Sequence, residues 1–212
     1  MMVYKYMSTE RFFEHIDEYL DGKLYFAGWD DLNDPMEGYF SINKNENTSL
    51  KCVLKDVKYE YKICTTSESY SNFLLWSHYA DKHKGVCLGI EIEEQECQNE
   101  CITHSIVCYV EETLYLRKIE QPLEPQIEEI LNTKMDFWKY EEEYRFFKRV
   151  TSSGMLKIGN LNKIILGKNC PYKDFFSKYV RIRGADIQQA VINHKNGGIT
   201  LEPVSNNMDN IA

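Results

Sequence analysis

Residues 61–93 read YKICTTSESYSNFLLWSHYADKHKGVCLGIEIE, and their pattern decides the fold class. Aromatic and β-branched residues at 61–65 predict a strand, and the Thr- and Ser-rich run at 66–71 supplies turn and N-cap chemistry. Phe73, Leu74, Trp76, Tyr79 and Ala80 recur at helical spacing. Gly85 stands just past them, where a helix ends in a left-handed residue. Residues 86–93 alternate apolar and polar, as a half-buried strand does. The stretch therefore reads strand, turn, helix, strand. Its helix crowds Trp76, His78, Tyr79 and His83 beside serines. Such rings either anchor a core with wet polar edges or line a cleft. Core is the expectation for Trp76, whereas Tyr79 fits both readings equally.

Working outward, residues 3–7 read as a first strand and Ser8 as the N-cap of a helix with Glu10 in its first turn. Phe12, Phe13, Ile16, Tyr19 and Leu20 form its stripe, and Gly22 ends it. A second strand at 23–28 leads into the loop DDLNDPMEG at 30–38, where Pro35 forces Asp34 to be extended. This loop is either plain turn chemistry or a rigid platform presenting Asn33, Asp34 and Glu37 at a strand end. Residues 39–54 are polar and read as a loop or short helix, and 94–100 as an acidic solvated turn. Further strands are expected at 104–110, 144–150, 156–158, 162–166, 180–182, 189–194 and 199–203, and a strand or helix start at 113–118. Ile127, Ile130, Leu131, Met135 and Trp138 predict a helix over 126–139, with Pro125 able to open it. A shorter helix is expected at 172–179. Strands come in adjacent groups, so the class is α+β, with mixed, mostly antiparallel twisted sheets and a few helices. A single domain at 1–204 and a disordered tail at 205–212 complete the expectation.

The formal charge of −8 opposes binding to a duplex nucleic-acid backbone. No apolar run approaches a membrane span and no leader opens the chain, so a cytoplasmic, non-membrane protein is expected. Seven cysteines are scattered along it and read as free thiols in a reducing compartment. Cys97, Cys101 and Cys108 with His104 can be drawn as a zinc site, but their spacing fits no common structural pattern. No metal is expected.

Three polar clusters could carry chemistry. One is Tyr4-Lys5-Tyr6 on the first strand; another is Ser67, Ser69, His78 and Tyr79; the third is Glu141-Glu142-Glu143 before Tyr144 and Arg145. Residues two apart on a strand share a face, so Glu141 and Glu143 can converge. Paired carboxylates can divide labour around a cationic centre, although a charge run is usually a solvated edge. Trp138, Tyr140, Tyr144 and Phe146 flank this run and favour a partly buried cleft. Arg145 is expected to point away from Glu143 and, once buried, to need a carboxylate from Glu37 or Asp34.

Two resemblances follow from these motifs. YKY, NDPME, WSHYADKHKGVCLGI, WKYEEEYRF and KIILGK, in that order, resemble the bacterial family called domain of unknown function 2971. Some of its members look like parts of phage-defence loci, which implies an effector or toxin. Trp76, His78, Asn33, Asp34 and Glu37 fall in its motifs. The order of elements also resembles the ADP-ribosyltransferase fold, which implies NAD as substrate. Tyr4-Lys5-Tyr6 stands where that fold has Arg or His, and Ser67-Glu68-Ser69 near its Ser-Thr-Ser segment. Tyr79 stands near its nicotinamide-stacking tyrosine, and Glu143 at its catalytic glutamate with Glu141 completing a Glu-x-Glu pair. On this reading Glu143 stabilises an oxocarbenium-like state and Glu141 activates an unidentified acceptor. Lys5 and Tyr6 meet the adenylate half, and Ser67, Ser69 and Tyr79 shape the nicotinamide pocket. Two alternatives stand beside it. The cleft could belong to a non-catalytic module sensing a nucleotide or phage component, or Asp34, Glu37, Glu141 and Glu143 could hold magnesium in a nuclease.

Overall fold

The computed structural model describes residues 1–43, 48–180 and 185–204. In chain order the elements open with β1 (Met2–Met7), α1 (Thr9–Glu14), α2 (Ile16–Leu20), β2 (Lys23–Phe26), β3 (Phe40–Ile42) and α3 (Thr48–Tyr59). Then come β4 (Tyr61–Ser67), α4 (Phe73–Tyr79), β5 (Val86–Ile92), α5 (Glu94–Asn99), β6 (Thr103–Ile106), β7 (Cys108–Val110) and β8 (Leu114–Leu116). The chain continues through α6 (Glu124–Leu131), β9 (Thr133–Met135), β10 (Glu143–Arg149), β11 (Gly154–Lys157), β12 (Gly159–Leu166), α7 (Lys173–Phe175), β13 (Asp186–Asn193) and β14 (Gly198–Pro203). The class is α+β, as the grouping of strands implied.

The chain divides into two compact units. Unit one comprises Met1–Leu24, Thr66–Cys97 and the chain from Lys157 onward; unit two comprises Tyr25–Thr65 and Gln98–Leu156.

Unit one is built on β1 and β5, antiparallel with Tyr6 opposite Cys87. β5 pairs antiparallel with β12, across a register shift between Leu161 and Lys163. β12 pairs parallel with β13, which pairs antiparallel with β14. On the other side of β1, Tyr4 faces Ser67 at the end of β4. Val86, Cys87, Leu88 and Ile90 on β5 are buried on both faces, so this strand is central rather than half-exposed. Ser8 caps α1, its Oγ accepting from Arg11 N–H at 3.2 Å. Phe12 packs on Phe176 at 5.3 Å between ring centroids. Burying such a ring contributes about 2 kcal/mol.

The central helix departs from expectation at both ends. Its N-cap is Asn72, whose Oδ1 accepts from Leu74 N–H at 2.9 Å and Leu75 N–H at 3.2 Å. Its exit is left-handed at Asp81, Lys82 and His83, not at Gly85. Gly85 is needed for a different reason: a Cβ there would stand 2.2 Å from Met7 O.

In unit two, β4, β10 and β6 are neighbours, with β10 and β6 antiparallel. Two parallel pairs, β3 with β8 and β7 with β9, accompany them. The core gathers Trp29, Leu54, Ile63, Ile127, Leu131 and Phe147 among others. The helix expected over 126–139 ends at Leu131, and Asn132 caps it. Asn132 O accepts from Cys108 N–H at 2.8 Å, which starts the β7–β9 pairing. Tertiary pairing overrides helical periodicity here.

Other expectations shift less. Residues 94–99 form α5 instead of a turn, and part of 39–54 forms β3 and α3. The 172–179 helix shrinks to α7 and a π-helical turn at Phe176–Val180. That turn takes Val180, the first residue of the strand expected at 180–182; the rest of that strand and the 205–212 tail lie outside the described residues. Among the described residues no helix is long and apolar enough to cross a membrane.

Candidate functional site

The chemistry of unit two converges on one ammonium. Lys134, at the centre of β9, points inward, and its Nζ donates to Glu141 Oε2 at 2.6 Å and to Glu143 Oε2 at 2.7 Å. Glu37 Oε2 lies 4.0 Å from the same nitrogen. The Trp138 ring covers Nζ at 4.9 Å, a cation–π distance. Arg145 is the second cation. Its Nε donates to Glu143 Oε1 at 2.7 Å, and its Nη1 donates to Leu131 O. Nη1 also lies 2.7 Å from Glu37 Oε1, but that oxygen makes no aligned hydrogen bond.

Local geometry explains the convergence. A 3₁₀ turn, Asp136–Glu141, delivers Glu141, and Glu142 then turns left-handed at φ 44° before β10 begins. Glu141 and Glu143 thus meet across a turn; they do not alternate along one strand as expected. Glu143 and Arg145 do alternate on β10, and so share a face. This corrects the expectation that Arg145 points away from Glu143. The expected partner of a buried Arg145, Glu37, is the one found. Glu37 is held by its loop: Asp34 Oδ1 accepts from Met36 N–H at 2.9 Å, and Asp34 O accepts from Glu37 N–H at 3.0 Å. Gly38 follows at φ 59°, with Lys58 Nζ donating to its carbonyl. Asp34 therefore serves its own turn, and Asn33 is exposed.

All five side chains of the centre are at most 7% exposed. Three carboxylates, Glu37, Glu141 and Glu143, face two cations, which leaves one excess negative charge if all are ionised. Burial works against the charge on Glu143, but Arg145 and Lys134 override it and hold its carboxyl down at about 2. For Glu37 burial wins over Arg145, and its carboxyl is raised. Burial also works against Lys134, yet Glu143 and Glu141 leave it raised. The Tyr109 hydroxyl, which accepts from Glu143 N–H at 2.8 Å, is pushed by burial up to about 12.

Unit one treats its candidates differently. Trp76 is fully buried and donates from Nε1 to Tyr70 O at 2.8 Å. The Tyr6 ring meets Trp76 edge-on at 5.1 Å, and its hydroxyl donates to Ser69 O at 2.8 Å. Ser67 is buried, and its Oγ accepts from Ser69 N–H. Ser69 Oγ accepts from Ser71 N–H. Trp76 is therefore the core anchor expected of it, and Tyr6 and Ser67 are buried beside it. Tyr4, Lys5, Ser69 and Tyr79 are half-buried and His78 is exposed, so these keep surface. Burial, then Cys87 and Tyr70, raise the Tyr4 hydroxyl. Ser77 and His83 sit 3.2 Å apart, but the one hydroxyl hydrogen goes to Phe73 O. The contact therefore needs His83 Nε2 as donor, which is the reverse of an activated serine. Tyr79 and Glu143, expected to share a cleft, belong to units one and two respectively.

Of the cysteines drawn as a zinc site, Cys97 is buried. Its Sγ donates to Ile158 O, and burial followed by Glu94 and Glu96 pushes the thiol up to about 11. Cys101 and Cys108 are exposed free thiols. Among the described residues no group of His, Cys, Asp and Glu is arranged to hold a metal ion.

Sequence reasoning missed Lys134 and Tyr109. A signal for Lys134 was present. It lies at helical spacing within the stripe of Ile127, Leu131 and Trp138, where a charge is out of place unless it is paired.

Residues 75–146 match the family model described as "Protein of unknown function (DUF2971)". The matched segment starts within α4 and includes Lys134, Glu141, Glu143 and Arg145, and leaves out Glu37 and β1. No curated protein and no solved structure matches the chain.

Proposed function

We propose that the chain is an ADP-ribosyltransferase-like enzyme that cleaves NAD, with the Glu143 carboxylate as its electrostatic centre. The observation that supports this reading is a carboxylate kept ionised and rigid by two cations inside unit two. Buried charge retained at such a desolvation cost marks a candidate functional site. In the reaction the bond from the ribose C1′ to nicotinamide breaks, and nicotinamide leaves with the electron pair. Positive charge then develops on the sugar, where a preorganised carboxylate stabilises it. An acceptor nucleophile adds to C1′ and gives its proton to a base, the role assigned to Glu141. Both carboxylates now face Lys134, so the sugar reaches them only when that ammonium yields part of its contacts.

A second reading, a non-catalytic nucleotide-sensing module, is favoured by a specific observation. Tyr6, Ser67 and Trp76 are committed to unit one's core, and both Glu143 oxygens are committed to cations. Of the nuclease carboxylates, Asp34 turns into its own loop while the other three face Lys134 and Arg145.

Incubating purified protein with NAD, with and without cell extract as acceptor source, separates the readings. Nicotinamide release that falls on the order of 100- to 1000-fold in Glu143→Gln supports the enzyme. Saturable NAD binding without release supports the sensor. Neither binding nor release ends both.

A further inference from the structure

We infer that Lys134 is the positioning residue of this centre, its ammonium holding Glu141 and Glu143 together as one ionised pair. The inference rests on the transferase reading and deepens it, by naming the group that sets the charge available to the reaction.

The geometry carries the argument. One nitrogen contacts Glu141 Oε2 at 2.6 Å and Glu143 Oε2 at 2.7 Å, so those oxygens cannot be farther apart than the two distances combined. Two carboxylates that close in a dry interior do not both stay ionised without a cation between them. Arg145 neutralises Glu143 from its other oxygen and reaches Glu37; Lys134 is the cation in contact with both members of the pair. The Trp138 ring over Nζ and the parallel pairing of β9 with β7 hold that ammonium in place. The other titratable and charged groups facing it are Glu37 from the loop, Tyr109 from β7, Tyr140 from the 3₁₀ turn and Arg145 from β10. A lysine in this place sets one positive charge against both carboxylates.

The test is a carboxyl titration of the full chain labelled with carboxyl-¹³C glutamate, followed by NMR, with no dependence on turnover. In wild type Glu143 is expected to stay ionised down to about pH 2. In Lys134→Met the pair is expected to take up one proton, and one macroscopic carboxyl step moves up by at least about 1 pH unit. Lys134→Arg keeps the pair ionised. A Lys134→Met titration that matches wild type overturns the inference. If Lys134→Met fails to fold, the double variant Lys134→Met/Glu141→Gln carries the test. Removing one like charge is expected to restore folding, because Arg145 still faces Glu143. A double variant no more stable than Lys134→Met overturns the inference as well. Where the enzyme turns over, the pH profile of nicotinamide release in Lys134→Met gains an acid limb matching the shifted step. A shifted titration in a protein that releases no nicotinamide upholds the electrostatic inference and sinks the transferase reading alone.

Discussion

In unit one the polar groups around Tyr6 and Trp76 are met by neutral hydrogen bonds, mostly to backbone; in unit two those around Lys134 are met by one another, as ions. The two solutions differ in what they cost to break. A hydroxyl on a carbonyl contributes about 1 kcal/mol net and leaves a modest hole when removed. A buried ion stranded by loss of its partner costs several times more. The first arrangement completes a core. The second holds charge where charge is expensive, an arrangement that clusters at functional sites and also occurs in structural ion-pair networks.

The largest effect is expected for Arg145→Ala. Arg145 is fully buried and faces both Glu143 and Glu37, so its loss takes the near cation from Glu37 and leaves Glu143 with Lys134 alone. Denaturant unfolding should show a loss of about 3–5 kcal/mol. An unchanged midpoint would show that the charge centre is no more committed to the fold than unit one's hydroxyls, and the comparison would fail.

Glu143→Gln comes next. The side chain keeps its size and some hydrogen bonding but loses its charge against two cations, so stability should fall by roughly 2–3 kcal/mol. The sign with pH follows from its lowered carboxyl. The stability Glu143 contributes is present above the ordinary value of 4.5 and disappears as pH falls towards about 2. Wild type should therefore lose stability over that acid window, and Glu143→Gln should lack this part of the loss. Matching acid limbs in the two proteins would place the charge elsewhere.

Glu37 sharpens the same contrast with the opposite sign. Its carboxyl is raised by burial, so its favourable contribution is complete below the ordinary carboxylate range and is lost as pH rises through its folded value. Glu37→Gln should remove that decline and change neutral-pH stability by no more than about 1 kcal/mol, since Arg145 keeps Glu143. A thermal-melt series across pH checks this. A decline that persists in Glu37→Gln would assign the excess charge to another member of the centre.

The fold class and most strand positions were legible because alternation and turn chemistry are local. The β9 strand was not, because Thr133-Lys134-Met135 continues a helical stripe and only pairing with β7 makes it extended. Glu37, Glu141, Glu143 and Arg145 were all picked out, since acidic and basic residues beside aromatics stand out in a sequence. Their arrangement was not legible. It depends on the left-handed Glu142 and on a lysine hidden in the stripe. The burial of Trp76 was legible from its size and spacing, and the hydrogen bonds of the unit-one serines and Tyr6 were not. Ser67, Tyr6 and Trp76 carry the donors and acceptors a ligand site would use, and a sequence does not say that backbone groups meet them first.

The smallest effect is expected for Tyr6→Phe, and it tests that last point. The variant removes one hydroxyl and leaves the ring edge-on to Trp76. Ser69 O then loses the donor now at 2.8 Å. Removing one such bond costs about 1 kcal/mol, read as a small shift in the unfolding midpoint. If the hydroxyl does no more than finish the core, NAD affinity measured by calorimetry should match wild type within error at a temperature where both proteins are folded. A tenfold weaker affinity with an unchanged midpoint would reverse the assignment. It would mean that Tyr6 turns from Ser69 to the ligand, as the transferase resemblance implied, and that unit one's neutral network is spent on binding as well as on folding.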